Sequence, residues 1–169
     1  MREYTCFFAG HSDFVYGDEV RGRLYKKCAE LVCCMNVKEF LVGNYGSFDR
    51  LAASVVRNLK EEYGVKLTLV IPYLTKEINE YREQFLSLYD EILTADIPEN
   101  TPRRFHIQAC GRYMADSSSY MIAYVSSPFG GAAKLLGYAA RASEKRRGEG
   151  QSGITVYNLA VPENCGANE

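Results

Sequence analysis

The sequence has no long apolar run, and no stretch of it approaches the roughly 20 apolar residues that a membrane-spanning helix requires. The apolar segment at residues 6–9 is too short for the hydrophobic region of a signal peptide and has no basic lead-in. We therefore expect a cytoplasmic protein with no membrane partner.

Patterns typical of metal sites and disulfide frameworks are also missing. The six cysteines include no CxxC pair and none of the spacings of metal ligands, and the two histidines, His11 and His106, are far apart. We expect reduced and mostly buried thiols, no metal site and no required cofactor.

The chain lacks an excess of either charge, with 20 basic and 21 acidic side chains and a net charge of −1. This balance gives no indication of a nucleic-acid partner, which usually requires an extended basic face. At 169 residues and 47% hydrophobic content, the sequence predicts one globular domain over residues 1–161. Residues 162–169 are expected to be a flexible tail.

Apolar segments of strand length alternate with segments in which apolar residues recur at helical spacing. Strands are predicted at residues 4–9, 39–42, 67–71, 120–125 and 154–159, and residues 91–93 fit either a very short strand or an edge segment. Helices are predicted at residues 17–35 and 48–63, around Tyr81 to Leu88, from Thr101-Pro102 onward, and after Gly130-Gly131. This alternation predicts an α/β fold of three α/β/α layers, with a mainly parallel sheet of five to six strands.

Glycine turns follow three of the predicted strands, and they should meet at the carboxyl edge of the sheet, where such folds bind ligands. The clearest turn is in the segment FLVGNYGSFDRL at residues 40–51, which is typical of a strand, a turn and a helix. Glycines allow a ligand to approach the backbone, and the helix amino terminus favours an anion such as phosphate. Ser47 is expected to cap this helix, with Asp49 in its first turn. The alternative is that the glycines only serve the turn, because the spacing is neither GxGxxG nor a Walker loop.

Charged side chains near the later helices allow two interpretations each. Arg103 and Arg104 occupy a predicted first helical turn, where they either face a phosphate or are solvated. Arg112 lies four residues before Asp116, so the two can form a structural ion pair or present the guanidinium to an anionic ligand.

Three aromatic or imidazole side chains are further candidates for the same edge of the sheet. His11 follows the first strand and fits either a turn residue or a ligand contact. Tyr45 and Tyr124 lie at or near the predicted site and could stack on a base.

Four segments in order resemble the SLOG superfamily, and within it the YspA-like branch of small bacterial proteins. They are Ala9-Gly10-His11, the Gly43-x-x-Gly46-x-x-Asp49 turn, the Arg112-Tyr-Met-Ala-Asp116 segment, and Gly130-Gly131-Ala132. The resemblance covers about residues 4–160. It implies a Rossmann-like domain that binds a nucleotide or nucleotide-derived ligand, and a homodimer.

The resemblance also implies roles for individual residues. Gly43, Gly46 and Ser47 would hold phosphate, Gly130 and Gly131 would line the opposite wall, and Arg112 would face the ligand. The full set of expected ligand-binding residues is Gly10, His11, Gly43, Asn44, Gly46, Ser47, Arg112, Gly130 and Gly131.

The sequence departs from the superfamily's lonely-guy phosphoribohydrolases, which cleave the N-glycosidic bond of nucleoside monophosphates. Their PGGxGTxxE signature is replaced here by the segment PFGGAAKLL at residues 128–136, which has no glutamate. An N-glycosidase needs a carboxylate near the anomeric carbon, and only Asp49 and Asp116 remain as candidates. We therefore expect binding or sensing of a nucleotide-type ligand, with hydrolysis or transfer at a nucleoside or nucleoside monophosphate as the alternative.

Overall fold

The fold contains one parallel sheet of six strands, seen in a computed structural model that describes residues 2–161. The strands are β1 (Thr5–Gly10), β2 (Glu39–Val42), β3 (Lys66–Ile71), β4 (Glu91–Thr94), β5 (Tyr120–Tyr124) and β6 (Thr155–Asn158). Their spatial order is β4-β3-β2-β1-β5-β6, and every neighbouring pair is parallel. The predicted α/β class and strand number are therefore confirmed.

Helices connect the strands and cover the sheet. They are α1 (Asp18–Met35), α2 (Ser47–Tyr63), α3 (Lys76–Glu80), α4 (Arg82–Leu88), α5 (His106–Asp116) and α6 (Gly131–Gly148), with short 3₁₀ turns at Arg2–Tyr4 and Arg103–Phe105. Within residues 2–161, none of these helices is long and apolar enough to cross a membrane.

Alternate residues of each strand enter two separate cores, because successive side chains of a strand point to opposite faces. In β1, Cys6 and Phe8 pack into the core that includes α1 and α2. Phe7 and Ala9 pack into the core that includes α5 and α6. Both faces of the sheet are therefore buried, which explains why its strands are nearly continuous apolar runs.

The order of the strands fixes where a crevice can form. From β1 the chain adds β2, β3 and β4 on one side, and it then returns to place β5 on the other side of β1. The connections leaving β1 and β5 therefore diverge, and ligands in such sheets bind outside the carboxyl ends at this reversal.

Helix boundaries differ from the sequence expectation in two places. The helix expected from Thr101-Pro102 begins at His106, because the residues before it form the 3₁₀ turn Arg103–Phe105. The helix expected around Tyr81 to Leu88 is α4, but a further short helix, α3, precedes it and meets it at Tyr81 with φ −106° and ψ 30°. The tail expected from Pro162 lies outside the described residues.

Two glycines with open space around them should respond oppositely to alanine. Gly64 ends α2 in the left-handed region at φ +64°, whereas Gly22 lies inside α1, and a Cβ at either position would meet no atom within 4 Å. We expect Gly64→Ala to lower the free energy of unfolding by about 1 kcal/mol, through backbone strain alone. Gly22→Ala should raise it by about 0.5–1 kcal/mol, because alanine favours the helix. Equilibrium urea unfolding measures both, and changes of equal sign would contradict this account.

Candidate functional site

A cavity of about 480 Å³ opens at the carboxyl ends of β1 and β2, between α2 on one side and α5 and α6 on the other. Most of the positions expected from the glycine turns line it, namely Gly10, His11, Gly43, Gly46, Asp49, Gly130 and Gly131. The structure brings these separate segments together at the reversal of strand order. Asn44, Ser47, Arg112 and Asp116 are not part of the lining.

The second glycine of the β2–α2 turn, Gly46, allows the loop after β1 to approach closely. A Cβ on Gly46 would lie 2.5 Å from Cα of Ser12, and the N–H of Ser47 donates to the Ser12 carbonyl at 2.9 Å. Gly46 itself occupies the capping position of α2, so the expectation that Ser47 caps the helix is wrong. The Ser47 hydroxyl instead donates to the carbonyl of His11 at 3.2 Å. The loop after β1 therefore packs against the start of α2 and takes up the N–H of Ser47.

Asp49 supplies a carboxylate on this side of the cavity. Its Oδ2 accepts a hydrogen bond from the N–H of Tyr45 at 3.1 Å, so the third residue of α2 reaches back over the start of its own helix. Burial raises the pKa of Asp49 from 3.8 to about 6, while the Tyr45 N–H bond and the charge of Arg50 act in the opposite direction. A carboxylate here disfavours a phosphate near the start of α2.

The β5–α6 turn, in contrast to the side of the cavity that holds Asp49, favours negative charge. Gly130 precedes α6 with φ +99° and ψ 178°, and no side chain caps the helix. Among residues 2–161, no acceptor is found for the N–H groups of Gly131, Ala132 and Ala133. Gly131 and Ala132 line the cavity, so unpaired donors at a helix amino terminus border it.

His11 joins the two loops that flank the reversal point. Its Nε2 accepts the N–H of Ser126 at 2.9 Å and lies 3.1 Å from the Ser126 hydroxyl oxygen. Because Nε2 accepts, the proton of the neutral ring is assigned to Nδ1. The imidazole thus ties the carboxyl end of β1 to that of β5 while also lining the cavity.

Aromatic rings form one wall, with a member that the sequence analysis missed. Phe14 is 40% exposed and lines the cavity, and its ring lies 4.9 Å from Tyr16 and 5.3 Å from Tyr124. Tyr45 also lines the cavity, whereas Tyr124 is not part of the lining. Phe14 lies in a loop, where no periodic pattern shows which side chains are buried. Its position just after the Gly10-His11 turn was the only feature of the sequence that could have placed it at the site.

The remaining wall is apolar and includes Ile107, Met114 and Leu135. Cys110 also lines it, donates through Sγ to the carbonyl of Val70 at 3.4 Å, and has its pKa raised by burial to about 12. This thiol is therefore protonated at neutral pH and unsuited to nucleophilic attack. The described lining contains no lysine or arginine.

Arg112 and Asp116 lie elsewhere, and both contact Tyr138. The two carboxylate oxygens of Asp116 accept from the Tyr138 hydroxyl at 2.8 and 3.1 Å, and the Arg112 guanidinium lies 5.4 Å from the centre of the same ring. No Arg112–Asp116 ion pair is found in the described part of the chain. Asp116 ends α5 just before β5, so it is at the amino edge of the sheet, and the expected placement of these two residues at the ligand is not seen.

Arg103 likewise has a structural partner, since its Nε and Nη2 donate to the Tyr73 hydroxyl at 3.3 and 3.2 Å. Neither Arg103 nor Arg104 lines the cavity. The interpretation that these arginines are surface charges fits the structure better than phosphate binding.

No family model matches the sequence, and no curated protein matches it significantly. Among solved structures, the fold is similar to the X-ray structure of DNA processing protein A (DprA) from Streptococcus pneumoniae, with a TM-score of 0.57 and 15% sequence identity. The match covers 97% of this chain and 52% of DprA, so the chain spans about half the length of that protein. At this level of identity the similarity shows a shared Rossmann-like fold.

Proposed function

We propose that the protein binds a nucleotide or nucleotide-derived ligand in this cavity and acts as a binding or sensing module of the YspA-like branch. The observation that carries the proposal is the convergence of three glycine turns on one cavity of about 480 Å³ at the reversal of strand order. This volume is in the range of small-molecule and cofactor sites, and the position is the one where open α/β sheets bind such ligands.

The charges within the cavity support one orientation of the ligand. The unpaired N–H groups at the start of α6 favour a phosphate, whereas the Asp49 carboxylate disfavours one at the start of α2. We therefore propose that the phosphate lies at Gly130-Gly131, instead of at Gly43 and Gly46.

The opposite side of the cavity supplies groups for the rest of a nucleotide. The exposed faces of Phe14 and Tyr45 offer aromatic surface for a base. The Asp49 carboxylate can accept hydrogen bonds from sugar hydroxyls.

The first test is a thermal-shift screen against AMP, ADP, ADP-ribose, NAD and cyclic nucleotides. A ligand at about 100 times its dissociation constant stabilises a protein by roughly 2.7 kcal/mol, which raises the midpoint by about 5–10 °C in a domain of this size. No shift with any member of the panel would contradict the proposal.

Ala132→Asp tests the orientation, and the melting midpoint shows whether this half-buried position accepts a carboxylate. Ala132 lines the cavity in the first turn of α6, where a carboxylate suits the helix dipole but repels a phosphate. We expect affinity for the best phosphorylated ligand of the screen to fall at least tenfold, as measured by calorimetry, with the melting midpoint little changed. Affinity for the corresponding nucleoside should fall much less.

The matched control is Ala133→Asp, which places the same charge in the same helical turn at a residue outside the lining. This variant should retain most of the affinity for the phosphorylated ligand. Equal losses in the two variants, or equal losses for nucleotide and nucleoside, would contradict a phosphate at the start of α6.

A second candidate function is hydrolysis of the N-glycosidic bond of a nucleoside monophosphate, which the Asp49 carboxyl supports. It borders the cavity, and its pKa of about 6 allows it to be protonated or ionised near neutral pH. Chromatography of excess nucleoside monophosphate incubated with the protein tests this function. Release of free base that disappears in Asp49→Asn would support it, and absence of release in the unmodified protein would reject it.

A further inference from the structure

A second cavity, of about 530 Å³, lies at the opposite edge of the sheet, next to the amino ends of β1 and β5. Its wall is formed by the carboxyl-terminal half of α6, the end of α5, and a residue before β1. The lining contains four cationic side chains, Arg2, Arg141, Lys145 and Arg146, and two carboxylates, Asp116 and Glu149. A chain with a net charge of −1 thus concentrates positive charge in one concave place.

The innermost of these cations is held rigidly. Arg146 is 6% exposed, and its Nη1 and Nη2 donate to the carbonyls of Ser118 and Ala115 at 2.7 and 2.8 Å. Burial and the nearby charge of Arg2 lower the pKa of Arg146. The guanidinium is therefore pre-organised by the backbone and carries an electrostatic cost that a bound anion would offset.

The carboxylates of the same wall offset this charge only in part. Asp116 acts on the pKa of Arg146 in the opposite direction to Arg2, and the lining holds four cations against two carboxylates. The two oxygens of Asp116 share a hydrogen bond from the hydroxyl of Tyr138, and no ion pair to Arg2, Arg141, Lys145 or Arg146 is found within residues 2–161. Lys145 and Arg146 lie in the last turn of α6, where positive charge complements the helix dipole. The helix dipole does not account for the presence of Arg2 and Arg141 in the same lining.

We propose that this cavity, named here the amino-edge cavity, binds a small anion that carries more than one phosphate group. Several cations around a concave surface match the clustered oxygens of a diphosphate, and arginine forks bind phosphate in two-pronged fashion. The two carboxylates and the limited volume argue against a long polyanion, which requires an extended basic face. The amino-edge cavity is separate from the candidate nucleotide site, so the two can be occupied together.

Inorganic pyrophosphate is the probe that tests the proposal, in titration calorimetry at about 0.1 M salt with the full chain. We expect saturable binding at one site, with an affinity that falls at least tenfold in the double variant Arg141→Glu/Lys145→Glu. Both side chains are exposed, so the exchange should leave the fold intact, and the melting midpoint checks this.

Arg147→Glu is the matched control, because Arg147 is an exposed cation of the same basic run but is not part of the lining. Affinity for pyrophosphate should change less than twofold in this variant. Equal weakening by Arg147→Glu, no effect of the double variant, or absence of saturable binding would each overturn the proposal.

A second experiment tests whether the amino-edge cavity binds a small anion or the phosphate backbone of a nucleic acid. Fluorescence anisotropy with a labelled single-stranded oligonucleotide of 12 nucleotides should show weak binding that pyrophosphate does not displace. Tight binding of the oligonucleotide that is lost in Arg141→Glu/Lys145→Glu would overturn the small-anion assignment in favour of a nucleic-acid surface.

Discussion

Phe48→Ala is expected to lower the free energy of unfolding by about 3–5 kcal/mol, the usual cost of removing a buried aromatic ring. Phe48 is 1% exposed, and its ring lies 5.4 Å from Tyr16 and 6.5 Å from both Phe8 and Tyr124. It also fills the space that Gly10 leaves, because a Cβ on Gly10 would lie 2.3 Å from Cγ of Phe48. In a domain of this size, the thermal midpoint should fall by about 6–20 °C.

Phe14→Ala is the control, since it removes the same side chain from the same aromatic cluster at a position that is 40% exposed. We expect it to cost about 1 kcal/mol or less in stability, while weakening ligands that stack in the cavity. Chemical denaturation of both variants, with ligand affinity for Phe14→Ala, measures the difference. Similar stability losses in the two variants would show that Phe48 does not have the structural role assigned to it.

Gly10 allows a further check on this packing. Gly10→Ala should destabilise the unmodified protein by about 1–3 kcal/mol, because Phe48 must move, and should cost less in a Phe48→Leu background. An equal cost in both backgrounds would mean that the clash is relieved by other residues.

The fold could be predicted from the sequence because both of its signals are local. Nearly continuous apolar runs identify strands buried on both faces, and helical spacing identifies α2 through residues such as Val55, Val56 and Leu59, all of which are buried. The bounds predicted for β2, Glu39–Val42, are those of the structure. The start of α5 was missed because Thr101-Pro102 resembles a helix start, and the 3₁₀ turn that follows has no clear sequence signal.

The position of the site was predictable for the same reason, since glycine turns after parallel strands must meet at one edge. The role of each residue could not be predicted, because it depends on contacts between segments that are distant in the sequence. Gly46 accommodates the backbone of Ser12 from another loop, and Arg112 faces Tyr138 from the next helix. Phe14 was missed because nothing in a short loop shows which side chain turns inward.

Asp49→Asn is expected to make the protein more stable than the unmodified chain at pH 7.5, with little difference at pH 4. The pKa of Asp49 is raised by burial from 3.8 to about 6, so the folded state binds more protons than the unfolded state between these values. The stability that this carboxyl contributes is therefore fully present below about pH 4 and is lost as the pH rises through about 6. Asparagine can still accept the Tyr45 N–H bond, so only the charge is removed.

The size of the effect follows from about 1.4 kcal/mol per pKa unit. Since Asp49 is only partly buried, we expect a relative gain of about 2 kcal/mol for Asp49→Asn between pH 4 and pH 7.5. Urea unfolding of both proteins across this range measures it, and Asp13→Asn, at an exposed carboxyl of the same cavity, is the control. A difference between Asp49→Asn and the unmodified protein that does not change with pH would contradict the raised pKa.

The same titration can test a ligand contact, because a ligand that touches Asp49 changes the pKa of its carboxyl. A ligand that donates sugar hydroxyls to Asp49 should stabilise its ionised form, so binding should release protons when measured near pH 6. Binding of a ligand that places a phosphate beside Asp49 should instead be accompanied by proton uptake, because the phosphate disfavours the ionised carboxyl. Calorimetry in two buffers of different ionisation enthalpy shows whether binding releases or takes up protons. Proton uptake that disappears in Asp49→Asn would indicate that the phosphate lies at the start of α2 and not at the start of α6.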